Sequence, residues 1–248
     1  RFTFTATVTD TDGDVDFDTH EVIVTDGAPP TAGADITLTV DEDELSDGTD
    51  GTLNLTDTKT ISFTAGADPL TTFVFSVDPL LGTDLLADTN TGGESGGEVT
   101  WTLSNNDQTL TGTVGGVTMV TLALTPPTSI AAGQTDTVSV TLTLADNPDN
   151  PFANNAELLL DLGDIVVRAS ELPNDTEFTS AKVSMNVVDD VPSVAIVEAD
   201  GGNEGSDTFV ETAGASTAAA LTIVEGADQD ATLVVSVGGG DSMSDITI

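Results

Sequence analysis

Hydrophobic and polar residues alternate along most of this chain. The first run, Phe2–Val8, places apolar residues at every second position between threonines, and Glu21–Thr25 has the same two-residue period. Such a period, rich in β-branched residues, indicates half-buried β-strands. The pattern therefore predicts a β-hairpin whose turn is the acidic segment Asp10–Asp14, followed by an Asp-Gly-Ala-Pro exit that ends at Pro29.

Similar runs continue through the chain, with Gly, Asn, Asp and Pro between them. They predict strands at Asp35–Val40, Lys59–Thr64, Thr71–Val77, Glu98–Leu103, Thr109–Val114, Val117–Leu124, Thr135–Leu144, Glu157–Leu160, Ile165–Ser170 and Ala181–Val188. No stretch has the 3.6-residue period of an amphipathic helix. The spacing predicts an all-β chain made of β-sandwiches.

The chain also repeats itself. Ile165–Pro192 aligns without gaps under Phe2–Pro29, and Ile61–Asp68 recurs as Leu221–Asp228, with Gly-Ala-Asp at the same place in both. The two offsets agree at about 160 residues, which suits a tandem array of sandwiches better than a solenoid. We expect the closing strands of one repeat in 1–29, a complete repeat in 30–191 and the opening strands of another in 192–248. Two adjacent prolines at the first boundary predict a stiff linker.

Charge narrows the possible partners. Acidic residues outnumber basic ones 43 to 4, a formal net charge of -39. Such a chain repels nucleic-acid phosphates and anionic lipid surfaces, so we expect no nucleic acid partner. No run approaches the roughly 18 apolar residues of a membrane span, so we expect no membrane insertion. The absence of cysteine leaves the redox compartment open and is compatible with an extracellular protein that metal stabilises.

The acids of the hairpin turn indicate a cation. Asp10, Asp12 and Asp14 occupy alternate positions, and like charges so close together need an offset. Ca²⁺ takes about six to eight oxygen ligands from carboxylates, carbonyls and water, and closely spaced aspartates supply several at once. The turn is not an EF-hand, because Gly13 comes too early and no Glu closes the loop. The alternative is a solvated acidic turn in which Gly13 supplies the positive φ.

Four short motifs carry a family resemblance: Thr9–Asp14, Asp41–Leu45, Trp101–Gly112 and Asn186–Pro192. Together they resemble the tandem extender repeats of type I secreted RTX adhesins of Gram-negative bacteria, which have Ig-like and cadherin-like sandwich domains. The resemblance implies a secreted, non-catalytic stalk at the cell surface, with Ca²⁺ at the junctions between domains. Its partners would be neighbouring repeats, with a glycan or other surface ligand bound elsewhere in the full-length protein.

Carried over to this chain, the resemblance implies calcium ligands at both junctions and in the hairpin turn. These are Asp10, Asp12, Asp14, Asp26, Asp41, Asp43, Asp189, Asp190 and Glu204. Two departures reduce the expected calcium complement of the complete repeat. Ala145–Pro148 replaces the Leu-Asp-His-Pro segment of many such repeats, and Pro173–Glu177 has lost the Asp-x-Asp-Gly-Asp pattern.

Other functions remain as alternatives. In a self-assembling filament or surface layer, Phe2–Val24 of one chain would complete the sheet near Leu221–Val237 of the next by strand addition. A carbohydrate-binding sandwich would use Trp101 and the loop Asp146–Asn155, although Trp101 is also typical of a core or inter-sheet residue. A halophilic origin would explain the acid excess without metal sites. Catalysis is not expected, because the chain has one histidine, His20, and neither cysteine nor tyrosine.

Overall fold

The computed structural model describes residues 1–24, 27–45, 55–86, 98–147, 159–173 and 177–190, and the strand backbones of 193–198 and 219–224. Within these ranges the regular structure is strand, apart from two single-turn 3₁₀ helices at Glu42–Glu44 and Pro79–Leu81. The described part of the chain contains no helix with the length and apolar character that crossing a membrane requires. The all-β prediction is confirmed.

The strands are numbered in chain order. They are β1 Phe2–Thr9, β2 Val15–Val22, β3 Thr31–Ala32, β4 Ile36–Asp41, β5 Thr56–Thr64, β6 Thr72–Ser76, β7 Asp84–Leu85, β8 Thr100–Ser104, β9 Thr109–Val114, β10 Val117–Thr125, β11 Thr135–Leu144, β12 Leu159–Ser170, β13 Phe178–Val188, β14 Ser193–Glu198 and β15 Ala219–Val224. β1–β2 and β14–β15 are two-stranded sheets. Between them lie a six-stranded sheet, β3-β5-β11-β10-β9-β8, and a five-stranded sheet, β4-β13-β12-β6 with β7 on β12.

The two large sheets share one hydrophobic core. Along β13 every second residue is buried, as the two-residue period requires, and the buried residues of β5, β10 and β11 belong to the same core. Phe63 of β5 and Phe73 of β6 meet edge to face, with ring centroids 6.1 Å apart. Each fully buried aliphatic or aromatic side chain contributes roughly 1.5–3 kcal/mol, so this core fixes the strands that carry the acidic residues at their ends.

The pairing of β4 with β13 positions those acids. These strands run parallel, with Val183 opposite Ile36 and Val188 opposite Asp41. Because parallel strands end at the same edge of a sheet, the residues that follow β4 lie beside those that follow β13. The segment after Asp41 is therefore adjacent to Asp189 and Asp190, although about 148 residues of chain separate them.

The hairpin β1–β2 lies outside this core, and its large apolar side chains are exposed. Phe2, Phe4, Val8 and Phe17 are 61–67 % exposed. The segment after the hairpin contacts the residues that follow β5, where the Ala28 carbonyl accepts a hydrogen bond of 2.9 Å from the Ala67 N–H. The chain thus reaches β3 through an anchored connection.

Candidate metal centres

The turn of the hairpin is closed by one carboxylate. Oδ1 of Asp10 accepts main-chain hydrogen bonds from Asp12 (3.3 Å), Gly13 (3.1 Å) and Asp14 (3.0 Å). Gly13 has φ +100°, a conformation that glycine adopts without strain. Thr9 and Val15 pair directly across the turn, so the five intervening residues fold back over the strand ends.

This fold brings three aspartates together. One ligand oxygen each from Asp10, Asp12 and Asp14 lies within 4.8 Å of the other two, and all three residues are exposed. The pKa of Asp10 is lowered, first by a side-chain hydrogen bond with Asp12 and then by the N–H of Asp14, while desolvation opposes the shift. The Asp10–Asp12–Asp14 cluster can therefore offer several carboxylate oxygens to a metal ion.

A second set of acids lies where β4 and β13 end, and these side chains are buried. Asp41 is 6 % exposed, Glu42 1 %, Asp189 7 % and Asp190 2 %. We call these four residues the junction set. Buried carboxylates are unusual unless they are paired or bound to a metal, so the junction set is a second candidate centre.

Local hydrogen bonds fold the junction set inward. The Asp41 side chain caps the 3₁₀ helix Glu42–Glu44 by accepting the Asp43 N–H at 3.2 Å. Oε2 of Glu42 accepts the Asp190 N–H at 3.4 Å, which links the two ends across the strand pair. Glu42 is the residue that sequence reasoning missed. The acidic residues around Glu42 are evident in the sequence, but the inward direction of the Glu42 side chain depends on the 3₁₀ turn.

Each of the four basic side chains has a partner outside the junction set. Arg1 pairs with Glu21, Lys59 with Asp57, Lys182 with Asp164, and Arg168 lies over the Phe178 ring. Arg168 is opposite Ser180, and about 27 Å of β13 separates Ser180 from Val188. The positive charge of Lys182 is committed to Asp164: burial acts to raise the pKa of Asp164, but the hydrogen bonds from Lys182 and Ser184, both 2.6 Å, outweigh it and lower that pKa.

The predicted ligands therefore fall into distinct groups. Asp10, Asp12 and Asp14 converge at the turn, whereas Asp41, Asp189 and Asp190 belong to the buried junction set, with Asp43 half-buried beside them. Asp26 and Glu204 lie outside the described residues. Within the described ranges, the turn provides the one group of three acids whose ligand atoms all lie within 4.8 Å. The junction set is buried but less tightly convergent.

The structure also describes the surroundings of two other residues considered in the sequence analysis, Trp101 and His20. Trp101 is half-buried against the core, its ring packs on Gly112, and its Nε1–H donates to the Leu86 carbonyl at 2.7 Å. These contacts favour a core or inter-sheet role for Trp101 over an exposed surface on which a sugar ring could stack. His20 is exposed on β2 opposite Phe4.

Both candidate centres are composed of oxygen donors. The single histidine lies on β2, and the chain has no cysteine, so the donors suit hard cations rather than Zn²⁺ or Cu²⁺. No protein-family model, curated protein or solved structure matches the chain.

Proposed function

We propose that this chain is a non-catalytic, extracellular stalk segment of a large secreted surface protein, stiffened by Ca²⁺ at the junctions between sandwich units. The observation that carries the proposal is the junction set. Four buried carboxylates lie where β4 and β13 end, and two of them, Asp189 and Asp190, come shortly before β14.

Burial makes these charges costly without a cation. Withdrawing a carboxylate from water costs several kcal/mol even after the protein relaxes. Like charges that are close together in such a site also repel one another. A divalent cation offsets both penalties at once, because it supplies positive charge and ligand bonds to several carboxylates together.

Calcium is favoured over magnesium by the donors and their arrangement. Ca²⁺ accepts irregular sets of carboxylates, carbonyls and waters, whereas Mg²⁺ demands near-ideal octahedral geometry and keeps its waters. The junction set combines acids from two strands with the main chain of a 3₁₀ turn, an irregular set. Affinities of about 10⁻⁴–10⁻³ M, typical of extracellular calcium modules, are expected.

Stiffening follows from the position of the ligands. Asp189 and Asp190 follow β13 and come shortly before β14, whereas Asp41 and Glu42 follow β4, which pairs with β13 in the five-stranded sheet. A cation between them ties the exit of the chain to the sheet. Without it, mutual repulsion loosens the exit, so adjacent units reorient.

An Asp190→Asn variant tests the proposal, with Asp136→Asn on the exposed part of β11 as the matched control. In EDTA, Asp190→Asn should melt above the wild type, because one buried charge is removed. In millimolar Ca²⁺ the order of the two melting temperatures should reverse. Titration calorimetry should show that Asp190→Asn lowers the calcium affinity of the junction set at least tenfold. Asp136→Asn should follow the wild type in both buffers. The proposal would be contradicted if Ca²⁺ did not change the melting temperature of the wild type.

A second candidate, the self-assembling filament, is favoured by the exposed hairpin. Isolated two-stranded sheets are marginally stable in water, and β1–β2 exposes three phenylalanines. Sedimentation velocity of the chain over a wide concentration range separates the two functions. Assembly that grows with concentration and is abolished by Phe4→Ser would support the filament. A monomer at all concentrations would support the stalk function instead.

A further inference from the structure

The two large sheets end at β3 and β8 and at β4 and β6, and a free edge strand exposes main-chain groups that can pair with another strand. β3 is only two residues long, which limits such pairing. The free edge of β4 is covered by side chains of β5. The Thr39 N–H donates to Asp57 at 3.0 Å, and the Lys59 ammonium group donates to the Thr37 carbonyl. These bonds occupy main-chain groups that an added strand would use.

The edge of β6 is covered by the turn between β8 and β9. The Phe75 N–H donates to the Asp107 carbonyl at 2.7 Å, and the Gln108 side chain donates to the Phe73 carbonyl at 3.2 Å. β8 differs from the other three edge strands. Among the residues that the structure describes, the main chain of β8 has hydrogen bonds with β9 alone. Within the described ranges, β8 is therefore the open edge of the two large sheets.

The exposure of the side chains agrees with an open edge at β8. Thr100, Thr102 and Ser104 lie on the outer face of the six-stranded sheet, and all three are exposed. Thr111 and Thr121 follow Thr102 across the same face, and both are half-buried, because each lies between two neighbouring strands. The outer side chains of β8 thus have a neighbouring strand on one side.

β8 also lacks the charges that prevent edge strands from pairing. Its five residues, Thr-Trp-Thr-Leu-Ser, include no acid, although the chain has 43 acidic residues that would repel those of a second copy. Trp101 and Leu103 lie on the face toward the core and pack against it, partly buried. An uncharged strand with hydroxyl groups on one face and apolar groups on the other is complementary to a strand of the same composition.

We infer that β8 pairs antiparallel with β8 of a second copy of this chain, around a twofold axis at Thr102. In this register Thr102 lies opposite Thr102 of the second copy, Thr100 opposite Ser104, and Trp101 opposite Leu103. Centring the pair on Thr102 uses all five residues and keeps apolar side chains opposite apolar ones. The contact is isologous, so assembly stops at a dimer, and it uses neither the hairpin β1–β2 nor the candidate metal centres.

Cysteine cross-linking in EDTA tests the register, because the chain has no cysteine of its own. Opposite residues of antiparallel strands have Cα atoms about 4.5–5.5 Å apart, a distance that a disulfide spans. Under mild oxidation, T102C should form a disulfide-linked dimer by itself. T100C and S104C should cross-link at least tenfold faster when mixed than either does alone. T60C, on an exposed position of β5, is the matched control and should not cross-link at these rates.

Charge substitution tests the association without a covalent bond. Sedimentation velocity should show a dimer of the wild type at high concentration. T102K and T102E should each weaken the dimer at least tenfold, because like charges then meet at the twofold axis. An equimolar mixture of T102K and T102E should restore it, and T60K should associate as the wild type does. Far-UV circular dichroism shows that each variant is folded.

The cross-linking and sedimentation results each decide the inference. It is overturned if T102C cross-links no faster than T60C, or if mixing T100C with S104C gives no gain over either protein alone. A wild type that stays monomeric at all concentrations, or a dimer that T102K leaves unchanged, also overturns it. A dimer that Phe4→Ser leaves intact supports it, since the hairpin is then not the contact.

Discussion

Among single residues, Asp10 shows how one side chain both shapes and charges a candidate site. Its Oδ1 accepts three main-chain N–H groups, and this closure draws Asp12 and Asp14 to the same place. The turn therefore depends on the ionised form of Asp10, since a carboxylate accepts these bonds more strongly than a neutral carboxyl.

The first prediction concerns the pH dependence of this turn. The folded-state pKa of Asp10 is lowered below its ordinary value of 3.8. A lowered pKa means that the stabilisation is fully present above about pH 3.8 and is lost as the pH falls through the lower folded value. The amide shift of Gly13, followed by NMR between pH 2 and 6 in dilute EDTA solution, should titrate with a midpoint below 3.8. The Asp10→Asn variant should lack this transition, and a midpoint above 3.8 in the wild type would contradict the turn geometry.

The sequence predicts some of the candidate residues and not others, for a physical reason. Asp10, Asp12 and Asp14 are neighbours in the chain, so their convergence follows from a tight turn. Glu42 and Asp190 meet only because β4 runs parallel to β13, and no local pattern encodes that pairing. Local chemistry is readable from sequence, whereas long-range register is set by the whole core.

Among the elements, the connection after the hairpin is constrained by close backbone contact. The backbone of Ala28 and Pro29 passes so close to Gly66 that a Cβ there would collide with the Ala28 carbonyl. Close passage allows the hydrogen bond from Ala67 to Ala28. Gly-Ala-Asp recurs at Gly226–Asp228, which lies outside the described residues.

A Gly66→Val substitution should therefore release the connection. The side chain must displace Ala28 and Pro29, and we expect a loss of about 1–3 kcal/mol, as for other overpacked sites. Hydrogen exchange measured by mass spectrometry should show faster exchange at Ala67, while β10 to β13 stay protected. Gly116→Ala is the control for backbone strain without a collision: Gly116 has φ +91°, so alanine strains the local backbone, but its Cβ meets open space and exchange at Ala67 should not change. Unchanged exchange at Ala67 in Gly66→Val would show that the connection is not anchored.

The predicted strands match the observed ones best where alternation is strict. Thr109–Val114 and Thr135–Leu144 agree with β9 and β11 at both ends. Two predicted strands, Glu157–Leu160 and Ile165–Ser170, overlap one observed strand, β12, which has an irregular register between Asp161 and Gly163; residues 157 and 158 lie outside the described part of the chain. Gly163 has φ +94°, and a bulge of this kind shifts the period that sequence analysis follows. The pattern predicts the second hairpin arm at Glu21–Thr25, but β2 spans Val15–Val22, because pairing with β1 extends the strand through Asp16 and Asp18, and Ile23 and Val24 lie outside it.

For the whole molecule, the strand order supports the predicted Ig-like class, which remains a prediction. In Ig folds one sheet has the order A-B-E-D and the other contains C, F and G. The order β3-β5-β11-β10 follows the first pattern, and β6-β12-β13 follows the second, with β8 and β9 as additions. Hydrophobic alternation predicts that strands exist, but it does not encode which strands become neighbours.

The stalk function makes its sharpest prediction about overall shape. If Ca²⁺ ties the exit at Asp190 to the sheet, small-angle scattering in a few millimolar Ca²⁺ should give a narrower distance distribution and a more rod-like Kratky profile than in EDTA. Asp190→Asn should remove most of this difference, and Asp136→Asn should keep it. Mg²⁺ at the same concentration should produce a smaller change, because it demands a regular octahedral site.

Salt separates this mechanism from general charge screening. With a net charge of -39, roughly molar NaCl shortens the Debye length to about 3 Å and weakens repulsion everywhere on the surface. A halophilic chain without specific sites would become compact in that salt and ignore millimolar Ca²⁺. A chain with junction sites responds to millimolar Ca²⁺ even at moderate salt, because the carboxylates of Glu42 and Asp190 are buried, and mobile ions screen buried charges poorly. Identical scattering in Ca²⁺ and EDTA, with a change only in molar salt, would replace the calcium stalk by an acidic, salt-adapted β protein.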